Sequence, residues 1–326
     1  MISIIIPMYN AQKTILELLK SIEKQNFHDL EVLIVDDCSN DRSVNLVDGF
    51  KASYRLTVLK MGKNSGPAVA RNHGARKANG DILLFLDSDL FLEEDVLKNV
   101  SKFFENPESK CMIGVYSKYP AEPGLIASYK SLQNFYYYTS SMIDKVSFFW
   151  GGIGAVRKEV FIEIGDFDTS YTGADYEDYE FGRRVLKKYP IYLKRDVILR
   201  HYFSNSLWKN IKDHFKRSGM WMDIFFKERK FDNYVTTKSH GFGKACGFLS
   251  IITIFLSSLY PILLIFSILL FILFFYTNRK LFSLAFKERG FLFFIATIIL
   301  DLVFSIPIIF GVIYEIMIHY FKLRRN

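Results

Sequence analysis

From Cys246 to Tyr276 the chain runs for thirty-one residues without a charge, and from Phe291 to Tyr320 a second apolar stretch is interrupted only by Asp301, Glu315 and His319. Each exceeds the roughly 20 residues a helix needs to cross hydrocarbon. A soluble domain seldom ends in two such runs, so the sequence predicts two membrane helices, about 246–276 and 291–320, with Pro261 and Pro307 as kink sites. The first would be about 46 Å long at 1.5 Å per residue, long enough to tilt and too short to cross twice.

The net charge of +8 conceals an asymmetry. Residues 1–182 carry 19 Lys/Arg against 26 Asp/Glu, residues 183–245 carry 16 against 5, and the remainder 7 against 3. The basic block therefore sits just before the membrane, where each Lys or Arg near an anionic surface contributes about 1 kcal/mol; an anionic membrane surface is the expected partner, not nucleic acid. Within it, Leu207, Trp208, Ile211, Phe215, Trp221, Ile224 and Phe225 fall at near-helical spacing with Lys209, Lys212, Lys216 and Arg217 between them. That pattern suits an interfacial amphipathic helix over 203–230, or a helix packed on a soluble core. A linker over 231–245 would join it to the membrane domain, 246–326. Cys38, Cys111 and Cys246 have no paired spacing, so neither zinc nor a disulfide framework is expected. The start, MISIIIPMYN, lacks a basic leader and meets Pro7 early, which does not read as a signal peptide. The expected placement is a multi-pass membrane protein with its large domain in the cytoplasm. One feature opposes a two-helix path: Arg279, Lys280, Lys287 and Arg289 make the connection basic, although that path puts it outside.

In the first domain, residues 2–6, 31–35, 55–60 and 82–86 read as strands, with helical patterns at about 11–25, 41–52 and 67–78 between them. This alternation argues for a parallel, doubly wound sheet, in which ligands sit beyond the carboxyl ends of the strands. Polar residues gather there: Pro7, Tyr9 and Asn10 after the first strand, Asp36 and Asp37 after the second, Asp87 and Asp89 after the fourth. A phenol that stacks on a base, acids that accept from a base or ribose, and acids that hold a hard divalent cation describe a nucleotide site.

The stretches SIIIPMYN, VDDCSND, NSGPAVARNHG, DSD, WGGIGAVRKEVF with GDFD, and GADYEDYEFGRR occur in this order over about residues 1–221. On these motifs the chain resembles the family 2 glycosyltransferases of the GT-A fold, which transfer a sugar from a nucleotide diphosphate with inversion. The resemblance implies that Pro7, Tyr9, Asp36 and Arg71 line the nucleoside pocket and that Asp87 touches the ribose. It implies that Asp89 coordinates Mn²⁺ or Mg²⁺ bridging the diphosphate, with His201 as a further metal ligand or phosphate contact. Gly151 and Gly152 match the glycine loop that lets backbone approach donor and acceptor. Asp178 matches the catalytic base. Acids opening a helix and bases closing it also suit the helix dipole, which accounts for Glu177 and Glu180 without chemistry and for Arg183 and Arg184 as surface pairing.

The expected architecture is α/β: a GT-A-type, Rossmann-like doubly wound mixed sheet in a domain over 1–230 that closes with the amphipathic helix at 203–230, followed by two membrane helices. The expected function is transfer of one sugar from a nucleotide-sugar, a UDP-sugar, to a lipid-linked saccharide. Processive synthases of the family carry Gln-x-x-Arg-Trp beside the membrane, whereas FKRSGMW separates Arg217 from Trp221. The alternatives are a polyprenyl-phosphate monosaccharide synthase and a membrane-anchored, non-catalytic scaffold that binds nucleotide-sugar.

Overall fold

The computed structural model describes residues 1–140, 143–170, 176–229 and 237–323. Gly173, Ala174 and Asp175 of the last motif, residue 230 of the expected amphipathic helix, residues 231–236 of the expected linker, and the final three residues lie outside them. The chain divides into two compact units, Met1–Ala121 with Tyr138–Tyr202, and Glu122–Tyr137 with Phe203–Asn326. The division falls after Tyr202, earlier than the expected boundary near residue 230.

The first unit begins β1 (Ile2–Met8), α1 (Ile15–Glu23), β2 (Leu30–Asp36), α2 (Ser43–Asp48), β3 (Arg55–Lys60), α3 (Pro67–Lys77) and β4 (Ile82–Leu86), the alternation expected from the sequence. It continues with β5 (Leu90–Leu92), α4 (Val96–Phe104) and β6 (Cys111–Tyr116). Then α5 (Leu125–Thr139) contributes its residues up to Tyr137 to the second unit. The first unit resumes with β7 (Lys145–Val146), β8 (Ile153–Arg157), α6 (Lys158–Ile164), α7 (Tyr176–Leu186) and β9 (Ile191–His201). Among the described residues these strands form one sheet in the order β3-β2-β1-β4-β8-β6-β9-β5, with β7 beside β9.

β1, β2 and β4 are buried along their whole length, as expected for parallel strands covered on both faces. Their register sets the geometry of one edge. Met8 lies opposite Asp36, and Ile5 opposite Phe85, so the three carboxyl ends come out nearly level. Beyond β4 the sheet becomes mixed, because β8 runs antiparallel to both β4 and β6. Beneath that edge lies an aromatic bed. Phe167 packs 5.2 Å from Phe85 and 4.7 Å from Phe181, and Phe149 lies 5.1 Å from Phe181, centroid to centroid. These rings tie β4, the segment before β8 and helix α7 into one core.

In the second unit follow α8 (Leu207–Glu228), α9 (Lys238–Leu256) and α10 (Leu263–Leu323). Two helices, Lys238–Leu256 and Leu263–Phe321, are long and apolar enough to cross a membrane. Their bounds differ from the expected 246–276 and 291–320. The first helix starts at Lys238, within the expected linker, and stops before the Ser-Ser-Leu-Tyr-Pro turn. Pro261 has no N–H to continue a helix and disfavours helical geometry in Tyr260. The next helix then runs through the expected connection, since the charges at Arg279 and Lys280 sit on good helix formers and do not themselves end a helix.

Gly290, at φ 80° and ψ −173°, breaks α10 in a region that only glycine enters readily. The chain reverses there. Phe275 and Phe294 lie 6.4 Å apart by centroid, whereas nineteen residues of straight helix would separate them by about 28 Å. Gly247 of α9 abuts both Phe274 and Ser305, and Gly243 abuts Thr277 and Asn278. The basic stretch Arg279–Arg289 therefore lies at the end of the bundle where α9 starts, with Lys238 and Lys244.

One buried acid joins these helices to α5. Asp301 Oδ1 accepts from Lys244 Nζ, from Tyr129 Oη at 2.6 Å and from Gln133 Nε2 at 3.2 Å. Breaking such a pair from one side leaves an uncompensated charge. Asp301→Asn is expected to destabilise the protein by about 3–5 kcal/mol in denaturant unfolding in detergent, and Asp301→Leu with Lys244→Met to cost less. Equal losses in both variants would contradict a paired charge.

Candidate active site

The loops beyond β1 and β2 are stitched together. Asn10 N–H donates to Ser39 Oγ at 3.0 Å, and Asn40 N–H donates to Asn10 Oδ1 at 2.9 Å. Pro7 is buried near the end of β1, while Tyr9 just beyond it is half exposed. Asp36 closes β2 and accepts from Ser39 N–H at 3.2 Å. Its neighbour Asp37 accepts from the N–H groups of Ser65 and Gly66 at 2.8 and 2.7 Å, fixing the loop that feeds α3.

The next turn of α3 carries Arg71, only 3% exposed. Its guanidinium meets three carboxylates: Nη2 donates to Asp87 Oδ1 at 2.7 Å, and Nη1 donates to Glu177 Oε1 and Asp178 Oδ1, each at 3.1 Å. Glu177 and Asp178 open α7 and are 1% and 3% exposed. Burial works against the guanidinium's charge, but Asp178, Asp87 and Glu177 outweigh it and hold Arg71 firmly protonated. Burial raises the Asp178 carboxyl; Arg71 opposes, Glu177 and Asp87 add to the rise, and the Gly151 N–H favours the ionised form, leaving it at about 7.

Gly151 and Gly152 fill the gap between two of these acids. Gly151 N–H donates to Asp178 Oδ2 at 2.9 Å, and Asp87 N–H donates to the Gly152 carbonyl at 3.2 Å. A Cβ on Gly151 would run into Asp178 Oδ1, and one on Gly152 would come within 2.6 Å of Asp87 Oδ2. The glycines are thus demanded by the approach of backbone to carboxylates.

Asp87 and Asp89, one residue apart, face different partners. Asp87 turns to Arg71, whereas Asp89 precedes β5, whose antiparallel pairing with β9 sets Leu90 opposite His201. That register brings Asp89 Oδ1 to 3.7 Å from His201 Nε2. The His201 ring stands edge-on to Tyr116, 5.3 Å between centroids, and Tyr116 Oη accepts from Trp150 Nε1 at 2.8 Å. Among the described residues no group of three or more His, Cys, Asp or Glu side chains could hold a metal. The Asp89 carboxylate still suits Mg²⁺ or Mn²⁺, hard cations commonly held by one or two carboxylates with phosphate oxygens and water completing the shell.

Sequence reasoning gave Glu177 only a place in the first turn of a helix; its burial against Arg71 depends on tertiary packing and has no local signal. Arg184 pairs with Glu180 at 2.8 Å as expected, yet it also donates to the carbonyls of Ile164, Gly165 and Asp166. Asn72, inside the NSGPAVARNHG motif, likewise takes its role from a partner 95 residues away. Its amide donates to the Phe167 carbonyl at 2.8 Å and accepts from the Phe167 N–H at 2.9 Å, which joins the NSGPAVARNHG and GDFD motifs.

A model of the family described as glycosyl transferase family 2 matches residues 3–165. An uncharacterized glycosyltransferase of Haemophilus influenzae is 34% identical over 202 residues, 58% of this chain and 63% of that protein. The poly(ribitol-phosphate) beta-N-acetylglucosaminyltransferase TarS of Staphylococcus aureus is 37% identical over 114 residues, 34% of this chain and 20% of its own length. The chain thus spans less than two thirds of these relatives. The mannosyltransferase PcManGT from Pyrobaculum calidifontis, solved with GDP-Man and Mn²⁺, superposes with a TM-score of 0.58 at 18% identity, over 97% of this chain and 86% of that one. This likeness shows the fold, the mixed α/β sheet of GT-A type.

Asn72→Ala would leave the buried N–H and C=O of Phe167 without their side-chain partner, at a cost of about 1–3 kcal/mol for each group. A fall in Tm by circular dichroism is the expected outcome; an unchanged Tm would mean the clamp contributes nothing.

Proposed function

The chain belongs to glycosyl transferase family 2, and from that premise we propose an inverting, metal-dependent glycosyltransferase that moves one sugar from a UDP-sugar to a lipid-linked saccharide at the cytosolic membrane face. The observation that carries the reading is the Asp178 carboxylate, buried, held by Arg71 and the Gly151 N–H, and poised at about 7. A general base works best with a pKa near the operating pH, and burial provides that here.

In the proposed reaction Asp178 takes the proton of the acceptor hydroxyl as that oxygen bonds to the anomeric carbon and the nucleoside diphosphate departs. Tyr9, Pro7 and Asp36 receive the base and Asp87 the ribose. Arg71 reaches both ends: through Asp87 it borders the nucleoside pocket, and through Asp178 it keeps the base ionised and aimed. Glu177 occupies the other side of the same guanidinium nitrogen and fixes its position. Asp89 and His201 would hold the divalent ion, which offsets charge on the leaving diphosphate. The close-packed Gly151 and Gly152 leave no side chain between base and donor.

The lipid-linked acceptor is supported by the basic, aromatic α8 and by the two apolar helices, which suit a protein working at a bilayer. A catalytic domain on the cytosolic face agrees with the basic residues gathered at the end of the helical bundle where α9 starts.

Asp178→Asn should keep donor affinity and lower kcat by about 10²–10⁴-fold, the usual contribution of a general base. Near-normal turnover, read by release of nucleoside diphosphate, would move the base elsewhere. In an acceptor panel with Mn²⁺ or Mg²⁺, transfer is expected to lipid-linked saccharides; transfer to soluble acceptors alone would refute the lipid-linked reading.

A further inference from the structure

Within the second unit, α8 and the segment of α10 after Gly290 touch backbone to backbone at one point and part at another. At Gly311 an added Cβ would strike the Phe215 carbonyl and Ser218 Oγ, so no side chain separates the helices there. One to two turns earlier they diverge, leaving a groove of about 490 Å³. Trp208, Ile211 and Phe215 line it from α8, and Ile306, Pro307 and Phe310 from α10. Its floor is continuous with a packed cluster, since Ile211 also rests on Tyr129, Leu300 and Phe304. The walls remain uncovered: Trp208 is 64% exposed and Phe310 51%.

The charged lining residue is Lys212, whose ammonium lies 5.4 Å over the Trp208 ring. Lys209 and Lys216 flank it on α8 and are exposed, as Lys212 is. Among the described residues none of the three forms an ion pair. An open hydrocarbon slot with unpaired ammonium groups at its mouth is complementary to one kind of molecule, an amphiphile with an apolar chain and an anionic head. The volume lies within the range of small-molecule pockets. An exposed tryptophan beside lysines suits the boundary between hydrocarbon and water, where its ring is half apolar.

We infer that this groove is a binding site for an anionic glycerophospholipid of the bilayer, one acyl chain between α8 and α10 and the phosphate against Lys212. Such a site would lock α8 to the membrane at a fixed depth, beyond what diffuse attraction of its lysines provides. The inference rests on the membrane reading above and is independent of which acceptor is glycosylated.

Trp208 reports on its own groove. The full-length protein is reconstituted into vesicles containing phosphatidylcholine and phosphatidylglycerol, with brominated acyl chains on one lipid or the other. The Trp208 signal is taken as the difference from Trp208→Phe. Quenching should show about fivefold enrichment of phosphatidylglycerol over phosphatidylcholine, the factor one lysine supplies at an anionic surface. Lys212→Gln should abolish that preference, and Val303→Phe, which fills the groove, should reduce quenching by both lipids. Equal quenching by the two lipids, or a preference that survives Lys212→Gln, would overturn the inference. Vesicle flotation separates the failures: protein that floats without lipid preference refutes the groove alone, and protein that does not float refutes the membrane reading with it.

Discussion

The first unit is organised around one guanidinium. Arg71 comes from α3, Asp87 from the end of β4, and Glu177 and Asp178 from the first turn of α7, and the four groups are within ion-pair distance. A buried charge without partners would cost several kcal/mol, so each of these elements can take its place only if the others are in theirs. The aromatic bed of Phe85, Phe149, Phe167 and Phe181 supports the arrangement from below, and the Asn72 clamp on Phe167 fixes the bed to the helix that carries Arg71. Three acids against one base leave excess negative charge. Burial holds the Asp178 carboxyl well above its ordinary range, and this excess from Glu177 and Asp87 adds to the rise, even though Arg71 pulls the other way.

The same device recurs in the second unit with the signs distributed differently. There a single carboxylate, Asp301, collects Lys244, Tyr129 and Gln133. In both units an ionised group enters an apolar interior only with hydrogen bonds from several elements, and so it specifies which helices meet. The proposed chemistry uses this rigidity. A base aimed by two fixed donors loses little entropy when an acceptor arrives, which is how preorganisation lowers a barrier.

Much of the first unit is legible along the chain. The runs at 2–6, 31–35, 55–60 and 82–86 are continuous enough in apolar residues to mark buried parallel strands, and residues after them reach the sheet edge because that topology leaves them nowhere else. What failed to show was long-range pairing. Glu177 looks like any acid opening a helix until Arg71 arrives from 106 residues earlier. The helix bounds in the second unit differ from the expected ones for another reason. Absence of charge marks hydrocarbon but not helix ends: Pro261 splits a charge-free run, while the charged residues 279–289 continue a helix that only Gly290 interrupts.

The claim at the centre is that a buried carboxylate, kept usable by Arg71, accepts the acceptor's proton. The pH dependence of single-turnover transfer in the wild type and Arg71→Gln tests it most directly. The base must be ionised, so the rate should fall as pH drops through about 7. Because Arg71 favours the ionised form, its removal should move that limb to higher pH. A limb in the ordinary carboxylate range near 4, or one that stays in place when Arg71 is lost, would contradict the account.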